Sequence, residues 1–152
     1  MSTMDHHAIL NGFAEVVRTH EWERLGEWVH DDATWEYPQS GERFRGLTNI
    51  RAQFENYPGL GPGTSRLREI VGGTEYALTP AYTLIALQGT GDRGTALVRV
   101  RYPDGSLWWV INLYELREGR IGDSRSYFAP DFEPPEWRAP YRDGEPVRPP
   151  EP

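Results

Sequence analysis

The sequence predicts an α+β domain: a curved, mostly antiparallel sheet of about six strands wrapped around three N-terminal helices. Three observations predict it. Apolar residues recur at helical spacing only within the first third of the chain. From Arg93 to Phe128 the pattern switches to period two, broken at Pro103-Asp104-Gly105 and at Glu118-Gly119, which are turn signals between consecutive strands. The middle strand of that meander is apolar on both sides, with Trp108, Val110, Asn112 and Tyr114 on one face and Trp109, Ile111, Leu113 and Glu115 on the other. A sheet that covered a core on one side only would show a polar outer face there. A pocket or helices are expected on one side and a second subunit on the other.

The elements follow in order. Met4 to Arg18 reads as a helix, its apolar face made by Ile9, Leu10, Phe13, Ala14, Val16 and Val17, with Ser2, Thr3 or Asp5 as cap. A second short helix covers Glu21 to Val29, carrying Trp22, Leu25 and Trp28 inward. Ala33 to Tyr37 is a short strand stopped by Pro38, and a loop runs to Gly46. Thr48 caps a third helix with Ile50, Phe54 and Tyr57 at helical spacing, ended by Pro58-Gly59. Strands are expected at Arg66–Val71 and Ala81–Leu87, before the meander. Residues 1–130 form one domain, and 131–152 a Pro-rich tail that is extended, partly docked through Phe132 and Trp137, and disordered toward Pro152.

Composition narrows the chemistry. The chain has 152 residues and is one domain by size, able to bury roughly 70% of its unfolded surface. A net charge of -7 argues against nucleic acid. No apolar run suits a bilayer and no signal pattern opens the chain, so a cytoplasmic protein is expected, with no membrane partner. There is no cysteine, hence no thiolate nucleophile and no thiolate metal site. All 16 basic residues are arginine, so a Schiff base on lysine is excluded. Phosphate-binding glycine loops and the H-E-x-x-H pattern are missing, and neither cofactor nor metal is expected.

Two blocks, DDATWEYPQSGERFRGLTNI (31–50) and INLYELREGRIGDSRSYFAPDFEPPEWR (111–138), resemble SnoaL-like proteins of the NTF2-like superfamily. The resemblance implies a cone-shaped half-barrel with an apolar pocket, usually dimeric. Relatives include a ketosteroid isomerase, polyketide cyclases, an epoxide hydrolase and dehydratases. Where the isomerase relatives carry a base just before the strand-ending proline, this chain has Tyr37; where they use a first-helix tyrosine, it has Phe13; where they use a protonated aspartic acid, it has Asn112. The cyclases' last-strand aspartate falls on Ser126. None of those mechanisms carries over unchanged.

The candidate site follows from these positions. Asn112, Tyr37 and Ser126 are the catalytic candidates: Asn112 and Tyr37 as donors to a carbonyl or enolate, Ser126 positioning a water or hydroxyl. Phe13, Trp35, Trp108, Tyr114 and Phe128 are the substrate-binding candidates. Glu36 lies on the opposite face from Tyr37, and Glu42 is expected in an ion pair with Arg43 or Arg45. His20 is read as structural, His30-Asp31-Asp32 as a helix terminus rather than a metal site, and His6-His7 as an exposed pair without signal. Arg99 and Arg101 are placed on the outer, solvated or dimer-facing side. Two functions are in view. One is a cofactor-independent acid–base enzyme, of isomerase, cyclase or dehydratase type, acting on a small apolar oxygenated molecule such as a polyketide or terpenoid. The other is a non-catalytic ligand-binding or scaffold homodimer.

Overall fold

A computed structural model describes residues 5–56, 83–101, 106–145 and 147. Helix α1 (His6–Thr19) begins where the Asp5 carboxylate accepts the Ala8 N–H at 3.0 Å, and it buries the predicted apolar stripe from Ile9 to Val17. It stops at His20, whose φ of 60° is a left-handed terminus without glycine. A 3-10 turn over Trp22–Glu27 replaces the expected second helix. Strand β1 (Val29–Tyr37) starts four residues earlier than predicted, so His30-Asp31-Asp32 lies on a strand and not at a helix end. The expected loop before Gly46 contains strand β2 (Glu42–Arg45). Helix α2 (Leu47–Glu55) follows, with Gly46 at its N-cap at φ 84° in place of a Thr48 cap.

Four strands complete the sheet: β3 (Thr83–Thr90), β4 (Arg93–Arg101), β5 (Leu107–Arg117) and β6 (Arg120–Pro130). The predicted strand at 66–71, the expected Pro58-Gly59 helix stop and the Pro103-Gly105 turn lie outside the described residues, while α2 itself ends at Glu55 with Asn56 as its C-cap. Glu118-Gly119 joins β5 to β6 with φ of 51° and 76°, the paired positive values a two-residue hairpin needs. The sheet order is β2-β1-β6-β5-β4-β3. Every pair is antiparallel except β1 with β6, which run parallel because the chain returns from the far edge to lie beside its first strand.

Helices α1 and α2 and the 3-10 turn cover the inner face. Phe13, Trp22, Trp35 and Phe54 meet there in edge and stacked contacts with ring centres 5.5–6.2 Å apart. The outer face holds a correction. Arg99 is not solvated: it is 1% exposed, its guanidinium bonded twice to Asp131 at 2.6 and 2.7 Å and lying 4.4 Å from the centre of the Trp109 ring. The tail docks through Asp131, whose amide also donates to the Leu107 carbonyl at 3.0 Å. It does not dock through Phe132 and Trp137, which are exposed, and it carries a short 3-10 turn at Glu136–Tyr141.

Candidate functional site

Cross-strand register brings the polar candidates together. Asn112 on β5 sits directly opposite Ser126 on β6 and Ala96 on β4. Trp35 on β1 pairs with Ser124 on the parallel β6; two residues further along both strands stand Tyr37 and Ser126. Tyr37, Ser126 and Asn112 therefore form one transverse row on the inner face. The row beside it is Trp35, Ser124 and Tyr114, because Ser124 is opposite Tyr114. All three predicted catalytic residues are brought into one row by alternation alone.

The Asn112 amide nitrogen donates to the Ser124 hydroxyl oxygen at 2.6 Å and to the Ser126 hydroxyl oxygen at 2.9 Å. Both serines are buried, at 1% and 6% exposure. Each serine oxygen accepts from Asn112, so each hydroxyl proton points away from it. Rotating the amide by 180° makes both serines donate to Oδ1 and turns the two N–H groups outward instead. Either way the cluster directs two donors away from itself. Ser124 had no part in the sequence-based site, although its two-residue spacing from Ser126 on one strand face was a usable signal.

Tyr37 carries the second donor. Its hydroxyl donates to the Gln53 Oε1 at 3.1 Å, and the ring packs edge-on against Phe44 and Phe128 at 5.5 and 5.4 Å. Burial raises the phenol above its ordinary value, the Gln53 bond opposes that, and Glu42 adds to it. Tyr37 is thus a neutral donor at physiological pH and not the base that a lowered value would permit. Gln53 Nε2 is buried without an acceptor. With that amide turned over, Nε2 would donate to the phenol oxygen and free the phenol proton, so one donor is presented in either orientation. Gln53 was missed because a glutamine on a helix gives no sequence cue.

The predicted substrate-binding residues divide. Phe13 and Trp35 are packed into the core, filling the cone under the helices. Trp108 and Phe128 are half-buried, the Trp108 ring N–H donating to the Ser106 hydroxyl at 3.0 Å. Tyr114 is buried beneath His6, which corrects the reading of His6-His7 as an exposed pair. His6 Nε2 lies 2.9 Å from the Gly91 carbonyl, which only accepts, so Nε2 carries the proton. In the neutral ring Nδ1 is then the acceptor of the Tyr114 hydroxyl at 2.7 Å. Burial pushes the Tyr114 phenol up to about 12. The slot exists because Gly89 and Gly94 face each other on β3 and β4: a side chain at Gly89 would strike the His6 ring, and one at Gly94 the Tyr114 hydroxyl.

Among the described residues, the acidic side chains near this row are bonded to other partners. Glu36 faces outward, toward Arg43 and Arg125 at 3.1 and 3.5 Å. Glu42 stands opposite Tyr37 but accepts from the Ser40 hydroxyl at 2.7 Å instead of pairing with its neighbouring arginines. His30 approaches Asp32 at 2.7 Å and Glu118 at 3.5 Å, and among the described residues no three side chains could hold a metal ion. His20 stacks on Trp22 at 5.6 Å.

Comparisons with known proteins agree with this architecture. A family model described as a SnoaL-like domain matches residues 10–123. No curated protein sequence matches the chain. Among solved structures, an NTF-2 like protein of unknown function from Burkholderia xenovorans is 24% identical, with 92% of this chain and 94% of that one covered and a TM-score of 0.68. A putative ketosteroid isomerase from Kribbella flavida is 18% identical over 92% and 89% of the two chains, at a TM-score of 0.70. An LEH-like epoxide hydrolase from M. tuberculosis is 14% identical over 80% of each, at 0.54. At these identities the structural likenesses establish the fold and leave the chemistry open. With three quarters of its length matched by the family model and its six strands in this order, the chain belongs to the SnoaL-like family and has the NTF2-like fold.

Proposed function

We propose that the inner face binds a small apolar molecule through a carbonyl or similar oxygen and polarises that oxygen, as a cofactor-independent enzyme of isomerase, cyclase or dehydratase type would. The observation that carries this reading is the Asn112–Ser124–Ser126 cluster, which directs two donors away from itself on a face otherwise built from aromatic and aliphatic side chains. Donors fixed before the substrate arrives stabilise developing negative charge without reorganisation, each worth about 10²–10³ in rate. Tyr37 and Gln53, at the end of the same row, add a further neutral donor. The name of the Kribbella flavida neighbour, a putative ketosteroid isomerase, is compatible with such a substrate class.

A second reading is ligand binding without turnover. It is favoured by one observation: among the described residues, no carboxylate is hydrogen-bonded to Tyr37, Asn112, Ser124 or Ser126. One experiment addresses both readings. Rigid aromatic and terpenoid ketones, each matched to its hydrocarbon, are screened by calorimetry, and α-proton exchange of the bound ketones is followed by NMR in D2O. The proposal expects ketones to bind in preference to hydrocarbons, exchange to be accelerated, and Asn112→Leu to abolish both effects. Binding without exchange selects the second reading. Equal affinity for ketone and hydrocarbon overturns the carbonyl-polarising reading, and binding of neither overturns both.

A further inference from the structure

The row that holds the donors does not stop at Tyr37. Strand β2 extends it: Glu42 stands directly opposite Tyr37, and Phe44 directly opposite Trp35. Residues opposite each other on antiparallel strands project from the same face. That face is the inner one, since Trp35 packs against Phe13 and Phe54 under the helices and Phe44 meets the Tyr37 ring at 5.5 Å. Arg43, between Glu42 and Phe44, points the other way, to Glu36 on the outer face. Across β2, β1, β6 and β5 the row therefore reads Glu42, Tyr37, Ser126, Asn112, with a carboxylate at its rim.

Two observations single out that carboxylate. Glu36, Glu55 and Glu115 each approach an arginine. Glu42 is exposed, faces no cation among the described residues, and accepts the Ser40 hydroxyl at 2.7 Å. Ser40 is a neutral, exposed partner that also reaches the Tyr37 carbonyl at 3.1 Å, so rotation of the glutamate side chain releases it without stranding a charge. The second observation is proximity. Burial raises the Tyr37 phenol, and the negative charge of Glu42 raises it further, which places that charge beside the row. Strands lie about 4.8 Å apart, so the Glu42 backbone is about 10 Å from that of Ser126, two strands away. A glutamate side chain and the stretch from a bound carbonyl oxygen to its neighbouring carbons together span that gap.

We propose that Glu42 is the general base of this site, taking a proton from carbon next to a carbonyl held on the Asn112 and Ser126 donors. The assignment rests on the carbonyl-polarising reading given above and supplies the acid–base member that the inner strands lack. In the step the C–H bond breaks and its proton passes to the Glu42 carboxylate. The electron pair left behind becomes the carbon–carbon double bond of an enolate, whose oxygen takes up the charge against the donors. Glu42, now a carboxylic acid, returns a proton to the same carbon in exchange, or to a carbon further along a conjugated system in isomerisation. No other reactant is consumed. Tyr37, kept neutral between base and oxyanion, does not compete for the proton. Its place at the rim lets Glu42 trade that proton with water between turnovers.

The test uses 1-tetralone, a rigid aromatic ketone, with calorimetry reading its binding and NMR in D2O reading exchange at its α-carbon. Glu42→Gln keeps the shape of the side chain and the acceptor for Ser40. It is expected to lower exchange about 10²–10⁴-fold while affinity stays within about threefold of wild type. Glu42→Ala, with folding checked by far-UV circular dichroism, is expected to regain part of the lost rate when formate is added. Glu36→Gln, next to Tyr37 in sequence but on the outer face, is expected to leave exchange unchanged. Exchange retained in Glu42→Gln, or an equal loss in Glu36→Gln, overturns the assignment. So does affinity that falls as far as the rate, or a rate that formate does not restore in Glu42→Ala, since either marks a structural role. A wild type that binds the ketone without exchanging it overturns the assignment and leaves the binding reading standing. A wild type that does not bind the ketone overturns that reading, and the assignment with it.

Discussion

Replacing Asp131 with alanine is expected to cost more stability than replacing Arg99 itself with methionine. The guanidinium of Arg99 is 1% exposed, while the Asp131 carboxylate is 46% exposed. Asp131→Ala removes both acceptors, at 2.6 and 2.7 Å, and leaves a buried cation whose Nε already lacks a partner. Breaking a fully buried pair from one side costs about 3–5 kcal/mol; water entering from the exposed carboxylate side reduces this to about 2–3 kcal/mol. Arg99→Met keeps most of the volume packed against Trp109 and loses the cation–π contact, worth about 1 kcal/mol. It also removes the buried charge and the orphan N–H, whose burial costs about 1–3 kcal/mol. The net change should lie within about 1 kcal/mol of zero. Urea unfolding at neutral pH measures both, with the double variant closing the cycle; in a chain of this size each kcal/mol is also about 2–4 °C in Tm. If Arg99→Met is as costly as Asp131→Ala, the ion pair is a net source of stability and the argument from its desolvation is wrong.

Other expectations follow from the same structure. The Arg99 bonds hold the Asp131 carboxyl below its ordinary value, so its contribution is present above the unfolded-state value near 4 and is lost as pH falls through the lower folded value; an acid-unfolding titration of Asp131→Asn should show a flatter acid limb than wild type. Tyr114→Phe leaves His6 Nδ1 buried without its donor and should cost about 1–2 kcal/mol in urea unfolding, an effect absent when His6→Phe is already in place. Gly94→Ala drives a methyl into the Tyr114 hydroxyl and ring and should cost about 1–3 kcal/mol in urea unfolding, with little of that recovered in the Tyr114→Phe background, where the ring carbons still stand in the way. Asn112→Leu strands no charge, so stability should change by less than about 2 kcal/mol while ketone affinity is lost; a collapse of folding instead would mark the cluster as structural.

The fold was legible where one periodicity ran long enough to dominate. The α1 stripe and the 93–128 meander each repeat their pattern several times, and the Glu118-Gly119 hairpin has a turn chemistry that few alternatives share. Short elements were not legible. Glu42–Arg45 reads as loop because four residues between glycines hold only one apolar side chain, Phe44, and what makes them a strand is pairing with β1. Residues 22–27 repeat at helical spacing, yet Gly26 and the immediate start of β1 leave room only for the tighter 3-10 turn.

The site divides along the same line between what alternation reveals and what the third dimension adds. Asn112 announced itself as a polar residue on an apolar strand face, and Ser126 and Tyr37 fell into its row because strand register carries a residue's face across neighbouring strands. Ser124 obeyed the same rule and was overlooked because a buried serine is common. His6 obeyed no local rule: its partners Tyr114 and Gly91 are 108 and 85 residues away, and only the opposed glycines of β3 and β4 make room for it. Arg99 failed in the opposite sense. Its alternation correctly placed it on the outer face, solvated or facing a second subunit, but the residue that buries it, Asp131, belongs to the chain's own tail, whose proline and charge suggested no such anchor. A charged residue on an outward face is thus evidence of exposure only when no later segment carries an opposite charge within reach. Here one does: the Asp131 carboxylate lies 2.6 Å from the Arg99 guanidinium and closes it off from water.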